Sequence, residues 1–178
     1  MQRLVELLHQ DAHRLELLKT VASCQLPQCL LAAGFVRNLV WDDLHGFSPT
    51  PLNDVDVIYF DPSDELGVRG QLVLTCLHEL APDVNWQVKN QALMHLKNNH
   101  RPYTSCEDAM KHWPEQETAV GVCIDQQGEI NVVAPFGLMG LFSGHITYNT
   151  KGDKQAFLHR VKHKNWLTLW PRLKLVLD

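Results

Sequence analysis

Asp54 and Asp56 stand two residues apart in Leu52-Asn53-Asp54-Val55-Asp56-Val57-Ile58-Tyr59-Phe60-Asp61. Side chains alternate faces along a strand, so both carboxylates point one way while Val55 and Val57 point into a core. Two carboxylates separated by roughly 6–7 Å of backbone can converge on one Mg²⁺ or bridge two. Mg²⁺ takes one or two carboxylates and completes its shell with substrate phosphates. Upstream, Ala33-Gly34 leads into Phe35-Val36-Arg37-Asn38, a small-residue turn entering a helix. Gly34 lets the backbone approach a phosphate, and N–H groups at the helix start can receive it. Arg37 and Asn38 in that first turn can bind phosphate oxygens, Arg37 with a bidentate fork. The two segments form a candidate phosphate and metal site, with Asp54 and Asp56 as its catalytic, metal-holding pair. Lys89, on a polar strand face, is a further phosphate cation. Plainer readings stand beside these. Paired acids at a strand end often face solvent, Asp54 after Asn53 can be a turn former, and Lys89 can be a surface lysine. The combination favours the site, because an unpaired charge on a buried strand is costly.

Elements must hold these residues in place. Apolar positions at Leu4, Val5, Leu7, Leu8, Leu15, Leu17, Leu18 and Val21 have helical spacing over residues 3–22, with a break near Gln10-Asp11. Residues 29–33 form a short first strand or a buried helix end, ahead of Gly34. Residues 35–44 repeat apolar side chains as a helix does, and His45-Gly46 stops it. Residues 54–61 are the acid-bearing strand, ended by Pro62. A helix over residues 65–80 follows, then a strand over residues 84–89 with Trp86 on its apolar face. Asn90 opens a helix running through Leu96. Ser105 caps a short helix with Asp108 three residues on, a weakened capping box. Residues 118–125 and 129–133 read as a hairpin turning at Gly128. Residues 138–142 suggest a helical turn, 145–148 a short strand, and 154–169 a last helix ended by Pro171. Helices alternating with strands, then a late hairpin, give an α+β fold with a small mixed sheet flanked by helices. The expected organisation is one domain, with a helical part at 1–28, a core at 29–133 and a C-terminal helical extension at 134–178.

Composition bounds the function. The 178 residues are 45% hydrophobic and 20% charged, ordinary for a globular chain. No apolar run is long enough to span a bilayer, and charges interrupt the N-terminus where a signal region would lie, so a cytoplasmic protein with no membrane contact is expected. Cys24, Cys29, Cys76, Cys106 and Cys123 form no C-x-x-C pair, which fits reduced, mostly buried thiols. The net charge of −4 argues against nucleic acid as a partner. Charge is uneven, however: seven Lys/Arg against two Asp from residue 151 onward. That tail is the one feature pointing to an anionic partner, and a solvated helix face explains it as well. Asp42 reads as a solvated acid and His45 as a cation favouring its helix C-terminus. His159 and His163, at i and i+4, read as solvent-facing.

The residues also carry a resemblance. Gly34-Phe35-Val36-Arg37-Asn38 followed by Asp54-Val55-Asp56 resembles the nucleotidyltransferase fold of the DNA polymerase β type. The Gly-x-Val-Arg-Asn form is similar to the Gly-Gly-x-Val-Arg-Asp motif of the tRNA CCA-adding branch. Over nearly the whole chain, Trp86-x-Val88-Lys89-Asn90-Gln91-Ala92, Trp113-Pro114-Glu115, Ala134-Pro135-Phe136-Gly137-Leu138 and Lys164-x-Trp166 resemble an uncharacterised bacterial nucleotidyltransferase-like family. The resemblance implies a small mixed sheet flanked by helices, Asp54 and Asp56 as metal ligands, and Gly34 at the phosphates of an NTP. It implies Mg²⁺, with Mn²⁺ as a substitute, and transfer of an NMP to an acceptor that the sequence does not name. Active members usually add a third carboxylate from a neighbouring strand. Residues 84–89 offer Asn85, Gln87 and Lys89 instead, leaving Asp83 or Asp61 as the substitutes to look for. The doubled glycine is replaced by Ala33-Gly34. The alternative expectation is therefore a non-catalytic nucleotide- or metabolite-binding module on the same fold. An RNA-processing role has only the basic tail for support.

Overall fold

The computed structural model describes residues 1–177. The N-terminal helical stretch is two helices, α1 (Gln2–Gln10) and α2 (Ala12–Ser23), broken where the sequence breaks. Asp11 makes the break, because its carboxylate accepts from Arg14 N–H at 2.9 Å and caps α2. Arg14 is buried, pairs with Asp11, and donates its Nε to Phe35 O at 2.9 Å. It thereby ties α2 to the start of α3 (Gly34–His45), which follows the strand β1 (Leu30–Ala32). Gly46 ends α3 with φ +67°, the left-handed conformation that glycine adopts without strain.

β2 (Val55–Tyr59) is followed by α4 (Val68–Leu80), β3 (Trp86–Asn90) and α5 (Gln91–Asn98), which Asn90 caps. Next come the short α6 (Cys106–Met110), a single 3₁₀ turn (Gln116–Thr118), and the hairpin of β4 (Gly121–Ile124) and β5 (Ile130–Val133). The five-stranded sheet has the order β3-β2-β1-β4-β5. β2 and β3 run parallel, and the other neighbours are antiparallel. Asp56 sits opposite Ala32 on one side and Gln87 on the other.

Both faces of β2 are covered. Val55, Val57 and Tyr59 join the main core with Trp86, Leu77 and the apolar sides of α1, α2 and α3. The face that carries Asp56 is not simply polar, as Ile58 and Phe60 on it belong to a second cluster with Leu30, Ala32, Tyr103, Cys106 and Met110. Asp56 is thus a carboxylate at the edge of an apolar patch.

The C-terminal part departs most from expectation. It holds α7 (Met139–Phe142), β6 (His145–Thr147), α8 (Lys154–His163), α9 (Trp166–Leu169) and β7 (Lys174–Val176). The expected single helix over 154–169 is broken at Asn165, whose φ of +56° turns the chain between α8 and α9. β7 lies beyond any sequence expectation and pairs parallel with β6. Three tryptophans explain the turn: Trp166 and Trp170 pack edge-on against Trp41 of α3 at 5.6 and 5.2 Å between centroids.

Smaller expectations change as well. Asp42 is buried rather than solvated, accepting from Trp170 Nε1 at 2.8 Å and from Thr50 N and Oγ1. His45 is buried with Nδ1 on Trp41 O at 2.7 Å, while Nε2 accepts from Arg172 N–H at 2.9 Å. His45 thereby links the end of α3 to the turn that leads into β7. Asp108 reaches back to Thr104 N–H and Arg101 instead of closing a box with Ser105, although Ser105 caps α6 as expected. Of the five free cysteines only Cys106 is fully buried, and Cys76 is exposed.

Candidate functional site

Ala33 forms the corner between β1 and α3, with φ +55° and ψ −121°. That backbone favours glycine, and a side chain there stores strain of about 1–3 kcal/mol. Ala33 stands at the first of the two positions where the resembled motif carries glycines. Its carbonyl accepts from Val36 and Arg37 N–H, and its own N–H donates to Val120 O. The corner aims the first turn of α3, whose leading N–H groups have no partner within the helix, at a cavity of about 420 Å³.

That cavity brings together all six residues singled out from the sequence: Gly34, Arg37, Asn38, Asp54, Asp56 and Lys89. β2 supplies Asp56, the loop before it supplies Asp54, and β3 supplies Lys89. The atoms nearest to a Cβ on Gly34 would be side-chain atoms of Arg37 and Asn38 at 3.6 and 3.7 Å, ordinary contact, so no close approach demands glycine there. Its bare surface is turned to the cavity.

The acids are held by neighbours. Lys89 Nζ lies 2.8 Å from Asp56 Oδ1. Asn85 Nδ2 donates to Asp54 Oδ1 at 2.8 Å, and Lys164 Nζ is 4.0 Å from Asp54 Oδ2. Each carboxylate therefore spends one oxygen on a hydrogen bond and keeps the other without one among the described residues. No third Asp or Glu lines the cavity among those residues, and Gln87 stands beside Asp56 in register. Asp83 precedes β3 and does not line the cavity. Asp61 is five residues beyond Asp56, roughly 16 Å along the chain. There Ser63 N–H and Oγ–H hold it below the usual carboxylate range, and Arg69 lies at 3.1 Å.

Arg37 is more deeply placed than a free phosphate fork. Its guanidinium lies 4.8 Å from the Trp41 ring centroid and 4.4 Å from that of Trp166. Nη1 donates to Thr118 Oγ1 at 2.7 Å and Nη2 to Asn38 Oδ1 at 3.0 Å. Burial brings its pKa down to about 10, and Glu115 opposes the shift. It stays charged at neutral pH, and its Nε has no hydrogen-bond partner among the described residues.

Arg160, Lys164, Thr118 and Trp166 are among the lining residues that escaped the sequence reading as site members. Arg160 makes a bidentate pair with Glu115, Nε to Oε1 at 2.7 Å and Nη2 to Oε2 at 3.2 Å. Glu115 is only 1% exposed, so the pair fixes α8 to the segment before the 3₁₀ turn. The signal was present in the basic tail, where Arg160 and Lys164 are four residues apart on one helical face. Two cations of the tail thus face the cavity. His159 and His163 face solvent as expected. The arrangement combines a helix N-terminus, two carboxylates and four cations. It is suited to a polyphosphate, with or without a divalent ion.

Comparison with known proteins bears on the same residues. A sequence model described as nucleotidyltransferase matches residues 19–175. No curated protein matches the chain. An NMR structure described as revealing a CCA-adding enzyme head domain is 29% identical with a TM-score of 0.88, covering 100% of this chain and 96% of that one. A CCA-adding enzyme in complex with CTP is 12% identical with a TM-score of 0.55, covering 94% of this chain and 48% of that one. The chain spans about half of that second protein, and the likeness to it shows the fold alone. With the match running through the β1–α3 corner, β2 and α8, the chain belongs to the nucleotidyltransferase family.

Proposed function

We propose that the protein is a Mg²⁺-dependent nucleotidyltransferase that moves an NMP from an NTP to an acceptor hydroxyl or phosphate. The observation that carries this reading is the single polar cavity shared by the head of α3, Asp54, Asp56, Arg37, Lys89, Arg160 and Lys164. The N–H groups of α3 and the surrounding cations would cradle the triphosphate. Asp54 and Asp56 would hold the ion, because each keeps one hard oxygen that spends no hydrogen bond within the protein. Two carboxylates completed by phosphate oxygens suit Mg²⁺, and Mn²⁺ suits the same donors. When bound, the ion offsets phosphate charge and eases in-line displacement at the α-phosphorus. An NTP as ligand is supported by the relative captured with CTP. A cytoplasmic location fits such a substrate, and among the described residues no helix is long and apolar enough to cross a membrane.

Titration with ATP, CTP, GTP and UTP in Mg²⁺ tests the reading. At least one should bind, and more weakly to Asp54→Asn. No binding of any, with Asp54→Asn indistinguishable from the wild type, would overturn it. A second reading, a non-catalytic nucleotide- or metabolite-binding module, is favoured by Lys89 on Asp56 and by Gln87 beside it where a third carboxylate would serve. Nucleotide that binds while its α-phosphate label never reaches an acceptor in a cell lysate selects that reading over transfer.

A further inference from the structure

A second cavity, of about 250 Å³, opens beside the first. Ala33, Asp56, Lys89, Thr118 and Arg160 line both, so the two chambers meet along one seam. Beyond the seam the lining changes. The first chamber continues to the head of α3, Asp54 and Lys164. The second is walled by α5, α6 and the segment after α6, over the apolar patch that holds Ile58 and Tyr103. Met94 of α5 and Trp113 pack on that patch while half-buried, so both give the chamber apolar surface.

Two polar groups of this lining are unspent. Gln91 is 2% exposed, and its Nε2 is turned to Lys89 O at 3.4 Å. That contact fixes which end of the amide is the oxygen. Oε1 accepts no hydrogen bond among the described residues, an open acceptor at a nearly buried position. The Trp113 indole N–H likewise donates to nothing among them; the residue's carbonyl is what Asn149 holds, at 2.7 Å. The first chamber has no aromatic surface to spare. Trp166 and Trp170 are each 3% exposed and pack on Trp41, and Trp166 also covers Arg37.

An aromatic and apolar wall with one open acceptor and one open donor suits a flat heteroaromatic ring that carries both on its edge. In an NTP that ring is the base. Asp56 lines both chambers, whereas Gly34, Asn38 and Asp54 line only the first. A triphosphate seated at the head of α3, with its α-phosphate at Asp56, hands its nucleoside across the seam. We propose that the second chamber is the nucleoside subsite, with the base against Trp113 and its edge on Gln91 Oε1. The subsite rests on the transferase reading, which supplies the phosphate end of the ligand.

Calorimetric titration of the full chain in Mg²⁺ tests it, comparing ribose 5-triphosphate with ATP, CTP, GTP and UTP. Ribose 5-triphosphate carries the same phosphates and sugar and lacks only the base. At least one NTP should bind about tenfold more tightly than it, as stacking a base on an aromatic side chain does. Trp113→Ala should remove most of that advantage and Trp113→Phe should restore part of it, with ribose 5-triphosphate affinity unchanged in both. Gln91→Leu keeps the volume and removes the acceptor, so it should cut the advantage about threefold or more. It reads the same chamber if Trp113→Ala does not fold. NTPs that bind no better than ribose 5-triphosphate overturn the subsite and leave the transferase reading standing. An advantage untouched by Trp113→Ala and Gln91→Leu overturns it too, by placing the base elsewhere and freeing the chamber for the acceptor. No binding of ribose 5-triphosphate or of any NTP would instead strike the transferase reading, and the subsite with it.

Discussion

Lys89 meets Asp56 at 2.8 Å, on the carboxylate that the transferase reading gives to a divalent ion. Around the cavity, Arg37, Lys89, Arg160 and Lys164 outnumber Asp54 and Asp56. Glu115 neutralises Arg160, which still leaves the lining one charge positive (three remaining cations against two acids). Such a lining favours a polyanion and disfavours a bare cation. Lys89 and a metal ion on Asp56 would repel each other at short range, with water screening part of the effect because the lysine is 44% exposed. Replacing Lys89 by Gln should therefore tighten Mn²⁺ binding to the nucleotide-free protein about fivefold, the equivalent of about 1 kcal/mol. The same change should weaken NTP binding measured in EDTA. Calorimetric titration of both ligands decides the matter. Mn²⁺ affinity that is unchanged or lower in Lys89→Gln would mean that the lysine does not compete for Asp56. The types of these residues were readable from the chain, since a segment with Asp54 and Asp56 and a strand with Lys89 are local patterns. That Lys89 would turn to Asp56 was not, because it depends on β2 and β3 lying side by side in one register.

At the scale of elements, α8 and α9 decide what closes the cavity. Trp166 covers the Arg37 guanidinium at 4.4 Å and stacks edge-on against Trp41, with Arg160 one turn and a half earlier held by Glu115. Trp166→Ala should cost about 3 kcal/mol or more in urea unfolding, from lost burial and the cavity it leaves. Trp166→Phe should recover most of the loss by keeping a ring over the guanidinium. Equal losses in the two variants would mean that general packing, and not the ring on Arg37, is what matters. α3, β2, β3 and the β4–β5 hairpin were legible because each shows its own apolar period and its own stop signal, as at Gly46, Pro62 and Gly128. The break at Asn165 was not legible, because the apolar spacing of Phe157, Val161 and Trp166 continues through it. Only the packing of Trp166 and Trp170 on Trp41 asks for a turn there. β7 was hidden for a related reason. Three residues have too little pattern of their own, and the strand exists by pairing with β6. Asp42 was misread as a solvated acid because Trp170, which holds it, lies more than a hundred residues away in the chain, and the same separation hid the bond between His45 and Arg172.

For the whole molecule, stability should follow the carboxylates that loops and caps hold. Asp64 is pushed up by burial, but the Tyr59 hydroxyl and the Arg69, Gly70 and Val68 N–H groups outweigh that and leave it below the usual range. In Asp108, burial is likewise outweighed by Thr104 N–H and by Arg101. Asp125, accepting from Glu129 N–H at the hairpin turn, is also lowered. A carboxyl whose folded pKa lies below its unfolded value, near 3.9 for Asp, binds its proton first in the unfolded chain. Its contribution is complete above that value and disappears as the pH falls through the lower, folded one. The urea midpoint should thus be nearly level from pH 7 to about 5, then drop steeply below about pH 4. Asp108→Asn loses charge-assisted bonds to Arg101 and Thr104, which should cost roughly 1 kcal/mol at pH 7. The gap between this variant and the wild type should narrow as the pH falls below the unfolded value and close once the native carboxyl is protonated as well. Denaturation series at several pH values measure both quantities in one experiment. A gap that persists undiminished at low pH would show that Asp108 does not act through its charge.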